Sequence, residues 1–393
     1  MKRRHFEISS FSLLIIVYLG QYLMHASKSP VQRTLAVEEH LNSSFSTTDV
    51  LSVTDLHCKY EKTPVVKSTS FALHPGEIGC LLGPSGCGKT TILRAIAGFQ
   101  PIDQGEIKVD GNLIASQTHA QPPEKRSVGM VFQDYALFPH LSVLENVMFG
   151  LNRKDKNSQE TAFNMLEIVQ LKHLSERYPH ELSGGQQQRI ALARALAPSP
   201  KLILLDEPFS NLDTELRRSL SLEVREILKA QNTSAILVTH DQEEAFTVAD
   251  KIGIMMDGKI QQWGSPYDLY HEPANRQIAS FIGKGSLLPA RIETSHTVSS
   301  ELGMASSAHP LMHQTGEEVD LLVRPEDIVA SPDSPLMAQI TKKHFLGASC
   351  FYELKLPSGQ QISTVLSSHL NFELGDQIGI RFAADHIVTF NKA

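Results

Sequence analysis

The stretch "IGCLLGPSGCGKTTILRAIAG", residues 78–98, decides the fold. Its apolar head, 78–83, reads as a short strand buried in a parallel sheet. Its tail, 88–98, reads as a helix that Gly98 stops. Between them "GPSGCGKT" (83–90) fits G-x-x-x-x-G-K-[ST] in the strand–loop–helix setting this motif requires. Gly83, Gly86 and Gly88 let the backbone turn its N–H groups onto phosphate oxygens without a side chain in the way. Pro84, Ser85 and Cys87 complete the loop, and Thr91 follows it into the helix. The helix end contributes about 0.3–2 kcal/mol toward an anion. The Lys89 ammonium contributes more, about 4 kcal/mol for unit charges roughly 4 Å apart at an effective dielectric near 20. The Thr90 hydroxyl is the expected ligand of a Mg²⁺ ion, which favours oxygen donors shared with phosphate and water.

Further apolar runs place more polar residues at strand ends. "SVGMVFQ" (127–133) leads to Gln133, "KLILLDE" (201–207) to Asp206 and Glu207, and "SAILVTHD" (234–241) to His240. Strands separated by helices, each ending in polar residues, describe a parallel α/β sheet with its ligand at the carboxyl edge. Asp206 is the acid expected to support the Mg²⁺ shell. Glu207 is a candidate general base for an attacking water, an effect of about 10²–10⁴ in rate. His240 alone would read as a structural histidine. Beside Lys89, Asp206 and Glu207 on one sheet edge it reads as a group holding phosphate and water in line.

"ELSGGQQQR" (181–189) sets a serine and two glycines before a second helix, a second anion-binding helix terminus. One γ-phosphate cannot easily use both termini of one chain. A two-fold dimer resolves this: Ser183, Gly184 and Gly185 of one chain cap the nucleotide held by the other.

Composition sets outer limits. The 393 residues are 41% apolar and 20% charged, with net charge −7. That describes a globular chain of two to three domains and argues against a dedicated nucleic-acid binder. Cys58, Cys80, Cys87 and Cys350 form no C-x-x-C pair, and they read as free thiols acting as small hydrophobes in a reducing compartment. The N-terminus differs. "KRRH" (2–5) precedes the apolar "FSLLIIVYLGQYLM" (11–24), which is short for a spanning helix of about 20 residues. A mis-assigned start, a membrane-surface anchor and a cleaved signal all remain readings. Residues 25–49 read as a disordered linker. Beyond Phe281 short alternating runs broken by Gly, Pro, Ser and Asp predict an all-β domain, a small barrel.

The ordered set "GPSGCGKTT", "FQ", "LSGGQQQR", "LILLDEP", "SNLD" and "VTHD" resembles the ATP-binding subunit of ABC transporters. The resemblance covers residues 50–284 and implies ATP and Mg²⁺ as cofactors. It implies that Tyr60 stacks on adenine and that Gln133 contacts Mg²⁺ and signals to the membrane subunit. It further implies that Ser183 to Gln186 act across a homodimer and that Asp213 joins the two sites. Glu207 becomes the catalytic carboxylate and His240 the switch histidine. A helical subdomain is expected over about 138–199. "VRPEDI" (323–328) makes the 285–393 domain resemble the OB/TOBE-like barrel of importer ATPases for maltose, polyamine, sulfate and ferric iron. "RYPHELSGGQQQR" and "FIGKG" resemble the ferric-iron branch most. The expected partners are membrane permeases and, indirectly, an extracytoplasmic substrate-binding protein; the expected location is the cytoplasmic face of the inner membrane. A soluble ABC ATPase acting on nucleic acid would carry paired cassettes or a coiled-coil insertion. A P-loop kinase would not need the serine–glycine turn.

Overall fold

A computed structural model of the protein describes residues 49–152 and 155–392. The expectations for residues 1–48 lie outside the described residues. Among the described residues no helix is long and apolar enough to cross a membrane.

Two sheets build the α/β portion. Strands β1 (Leu51–Tyr60), β2 (Thr63–Leu73), β4 (Gln104–Val109) and β5 (Asn112–Ser116) form an antiparallel sheet in the order β2-β1-β4-β5. The second sheet contains β3 (Ile78–Leu82), β6 (Val128–Val131), β7 (Leu202–Asp206), β8 (Ser234–Thr239), β9 (Lys251–Met256) and β10 (Lys259–Gly264). Its order is β10-β9-β3-β8-β7-β6, parallel except for the β9–β10 hairpin. Strands β3, β7 and β8 are buried along their whole length, as their unbroken apolar sequences require.

Helix α1 (Lys89–Ala97) lies between the two sheets' cores, and its Ile92, Leu93 and Ile96 are fully buried. Gly98 ends it in a left-handed turn at φ +93°, its N–H bonded back to Arg94 and Ala95 carbonyls. Buried Arg126 closes the same terminus, donating to the Ala95 and Ile96 carbonyls at 2.7 and 3.0 Å. Without that guanidinium the last carbonyls of a buried helix would be left unmatched.

A helical segment follows: α2 (Val143–Met148), α3 (Ser158–Ile168) and α4 (Gly184–Leu196). A capping box built by Ser142 and Glu145 starts α2, and another built by Ser183 and Gln186 starts α4. Fully buried Asn146 bonds the Phe138 amide and the Phe138, Leu141 and Ser142 carbonyls, which fixes the loop after Gln133. Helices α5 (Thr214–Ala230) and α6 (Gln242–Val248) flank β8, and the short α7 (Pro266–His271) and α8 (Arg276–Ile282) close this portion.

The all-β portion has two five-stranded antiparallel sheets around one apolar core. One contains β11 (Ser286–Thr294), β12 (Thr297–Ser300), β13 (Gly303–Ser306), β14 (Glu318–Val323) and β20 (Thr389–Asn391). The other contains β15 (Ile328–Ala330), β16 (Met337–Phe345), β17 (Ser349–Lys355), β18 (Gln361–Ser367) and β19 (Gln377–Phe382). The two portions are pinned by Arg324, which is buried. Its guanidinium donates to the carbonyls of Ala279, Gly283, Lys284 and Tyr270 at 3.0 to 3.2 Å and lies over the Tyr270 ring. All four cysteines are buried free thiols.

Candidate functional site

The loop between β3 and α1 has the conformation its glycines permit. Gly86 sits at φ +81° with open space where a side chain would stand, and Gly88 sits at φ +106° as the N-cap of α1. Gly83 is needed for a different reason: a Cβ there would lie 2.2 Å from the Met255 carbonyl oxygen. No side chain caps α1, so the N–H groups of its first turn have no capping side chain at the loop. Lys89 is only 5% exposed. Its ammonium donates to the Gly83 and Pro84 carbonyls at 2.7 and 2.9 Å and lies 3.8 Å from the Cys87 sulfur. A positive group held by the loop's own carbonyls, next to uncapped N–H groups, fits a polyphosphate.

The carboxyl ends of β3, β8, β7 and β6 share one sheet edge. Thr90 Oγ1 donates to Asp206 Oδ1 at 3.2 Å, so the two oxygens expected to meet Mg²⁺ are already adjacent. Burial pushes the Asp206 carboxyl up from its ordinary range, and the Thr90 bond opposes that rise. Among the described residues no group of three His, Cys, Asp or Glu side chains could hold a resident metal. A hydroxyl and one carboxylate suit a cation that takes its remaining oxygens from phosphate and water.

Glu207 follows at φ +45°, a left-handed conformation uncommon outside glycine and frequent where function imposes strain. Its amide donates to the Val238 carbonyl at 3.0 Å. Its carboxylate meets His240 Nδ1 at 3.3 Å, with the histidine side chain 55% exposed and the glutamate 23%. The two residues, read at strand ends on one sheet edge, thus stand in contact. Gln133 reaches the same loop: its side chain donates to Ser210 Oγ at 3.2 Å, and its carbonyl accepts from Asn211 at 2.9 Å.

The serine–glycine turn, expected to serve the nucleotide of the other chain, makes its own local contacts. The hydrogen bonds of the Ser183 and Gln186 side chains are to each other's amides, at 3.3 and 2.9 Å. Gly184 and Gly185 pack toward Leu212, Leu216 and Leu220. Asp213 caps α5, accepting from the Leu216 amide at 3.0 Å. These residues form a second cluster, joined to the first by segment 207–213. Tyr60 stands half exposed at the end of β1, paired across the hairpin with Thr63.

Several supporting residues carry no sequence signal, because their partners are backbone carbonyls or side chains that no motif marks. Arg194 of α4 donates to the Tyr135 and Ala136 carbonyls at 2.8 and 2.6 Å. Arg217 of α5 meets Asp241 at 3.1 Å, and Thr239 donates to Glu244 at 2.5 Å. The second set braces the turn that carries His240. Burial raises the Glu244 carboxyl, and the Thr239 bond lowers it.

The family described as "ABC transporter" matches residues 66–210, and the "TOBE domain" matches residues 321–390. The spermidine/putrescine import ATP-binding protein PotA of Ruegeria pomeroyi is 40% identical over 357 residues, covering 86% of this chain and 96% of the relative. PotA of Legionella pneumophila strain Paris is 40% identical, covering 81% of this chain and 90% of the relative. The Fe(3+) ions import ATP-binding protein FbpC of Mesorhizobium japonicum is 42% identical over 317 residues, covering 78% and 87%.

Proposed function

The chain belongs to the import ATP-binding proteins of ABC transporters, and we propose that it drives uptake of a polyamine. It is an ATPase coupled to transport. The cargo reading is supported by the relatives named for spermidine and putrescine. Ferric iron is the second reading, supported by the 42% identical relative named for that ion. The motifs "RYPHELSGGQQQR" and "FIGKG" lean to iron, and identities of 40% and 42% do not separate the two cargoes; polyamine is put first because its relatives cover more of the chain, 86% and 81% against 78%. Deletion of the chain from its host followed by uptake of labelled spermidine and of labelled ferric iron separates the two. Loss of spermidine uptake with iron uptake intact supports the first reading; the reverse pattern replaces it with the second.

In this proposal residues 50–284 are the motor and 285–393 a regulatory domain, carried with permease subunits at the cytoplasmic membrane face. A substrate-binding protein delivers cargo from outside. The observation that carries the mechanism is the Glu207–His240 pair, held at 3.3 Å on the sheet edge that also presents Lys89 and Thr90. Mg²⁺, when bound, neutralises charge on the phosphate oxygens, and Thr90, Asp206 and Gln133 are the residues to hold it. Lys89 moves its ammonium from the Gly83 and Pro84 carbonyls to the γ-phosphate. Glu207 accepts the proton of the attacking water, and His240 fixes the carboxylate's direction. Tyr60 stacks on the adenine.

The second cluster, Ser183 to Gln186 with Asp213, serves the nucleotide of a partner copy. Their side chains bond at their own helix starts and not to the phosphate loop, which supports this arrangement. Glu207→Gln with ATP is expected to accumulate as a dimer in sedimentation, with each nucleotide protected. A variant that binds ATP and stays monomeric at all concentrations removes the shared-site reading.

A further inference from the structure

Tyr135 lies two residues beyond Gln133 and buries its ring in the core that α4 shares, at 6% exposure. Its phenolic oxygen is buried without a hydrogen-bond partner among the described residues. A buried hydroxyl left unmatched is costly and uncommon in native proteins. The backbone beneath it is strained as well: Tyr135 has φ +62° and Ala136 φ +45°, two successive non-glycine residues in the left-handed region. That strain is held from α4, by the Arg194 guanidinium on both carbonyls. The phenol points back to the start of the same helix, since a Cβ on Gly184 would lie 3.9 Å from its oxygen. One side chain thus connects the Gln133 segment to the first residue of the serine–glycine helix.

A residue that carries both an unmatched polar atom and a strained backbone is built for two arrangements. We infer that Tyr135 is a positioning residue for ATP hydrolysis, whose hydroxyl gains a hydrogen bond to the Ser183–Gln186 segment only in the hydrolysis-competent arrangement. It thereby couples the place of Gln133 to that of the serine–glycine turn. The matching acceptor is the Ser183 oxygen, which here accepts the Gln186 amide at 3.3 Å; a second lone pair can take the phenol while its own O–H is left for a phosphate. The inference rests on ATP hydrolysis alone and holds whether one chain or two enclose the nucleotide.

Tyr135→Phe removes only the oxygen. Because the hydroxyl is unpaired in the resting chain, the thermal midpoint of the full-length variant stays level or rises. Steady-state kcat falls by about 5- to 150-fold, the usual span of a coupling between two sites, while KM for ATP stays within about twofold. A structural role alone would not split kcat from KM in this way. The second measurement is the same substitution in a Gln133→Ala background, where a residue acting through Gln133 has little left to change. Unchanged kcat in Tyr135→Phe overturns the inference. A lowered thermal midpoint also overturns it, since the hydroxyl is then paired at rest. Additive losses in the double variant overturn the route through Gln133.

Discussion

Removing the Lys89 ammonium should weaken ATP binding by less than its charge implies. A unit charge about 4 Å from a phosphate oxygen is worth about 4 kcal/mol at an effective dielectric near 20. The ammonium does not come to that contact from water, however. It leaves two carbonyls at 2.7 and 2.9 Å inside a buried loop. Giving up two bonds from a charged donor costs about 1.5 kcal/mol each at the low end of their range. The difference, about 1 kcal/mol, corresponds to roughly 5-fold weaker binding for Lys89→Ala. The same substitution strips two carbonyls of their donor in the nucleotide-free chain, so the thermal midpoint should fall by a few degrees, at about 2–4 °C per kcal/mol for a domain of this size. Calorimetric titration of ATP into the wild-type and variant chains at matched salt reads the first number, and a thermal scan reads the second. Binding weakened by less than about threefold would show that Lys89 never leaves the loop carbonyls. Binding weakened beyond about 1,000-fold with an unaltered midpoint would show that those carbonyls hold it for nothing.

Other outcomes follow from the same geometry. Ser183→Arg places an exposed guanidinium at the N-cap of α4; single-chain ATP affinity should stay within about twofold, with a loss of about 1 kcal/mol from the cap, while turnover is lost. An equal fall in single-chain binding for Ser183→Arg and Lys89→Ala would count against the two-copy site. Asp327 supplies a pH signature. Burial raises its carboxyl to about 6, so the folded chain keeps a proton that the unfolded chain releases. Stability from this group is present below its ordinary value and lost as pH rises toward 6. Asp327→Asn keeps the acceptor for the Arg324 amide and should gain on the wild type between pH 4 and pH 7. The gain is about 1 kcal/mol after allowance for partial exposure. Urea unfolding at both pH values checks it, and a variant weaker than wild type at pH 7 refutes it.

The phosphate loop and its neighbours were legible because each rests on local rules. The run "IGCLL" is too short and too apolar for anything but a buried strand, and Gly98 ends its helix as glycine does. The strand read over 127–133 is shorter in the structure, ending at Val131, because Tyr135 and Ala136 turn the chain in left-handed conformations no propensity foretells. Strand β2 ("TPVVKSTSFAL") gives no clear alternation, because Ser68 turns left-handed at φ +51° and the register against β1 shifts, so its buried Val66, Thr69, Phe71 and Leu73 are unevenly spaced. The helix over 214–230 also went unread, although its buried residues recur at helical spacing at Leu220, Val224, Ile227 and Leu228. The braces around the site were beyond sequence reasoning for a deeper reason. Arg194, Arg217 and Arg324 act on carbonyls, or on acids far along the chain, and a carbonyl is the same at every residue.

Arg324 carries a consequence for synthesis. The carbonyls at Ala279, Gly283 and Lys284 that it satisfies lie 40 to 45 residues earlier in the chain. On the ribosome α8 therefore emerges well before the guanidinium that meets its end. Until β14 and Arg324 have been translated those carbonyls have only water to bond.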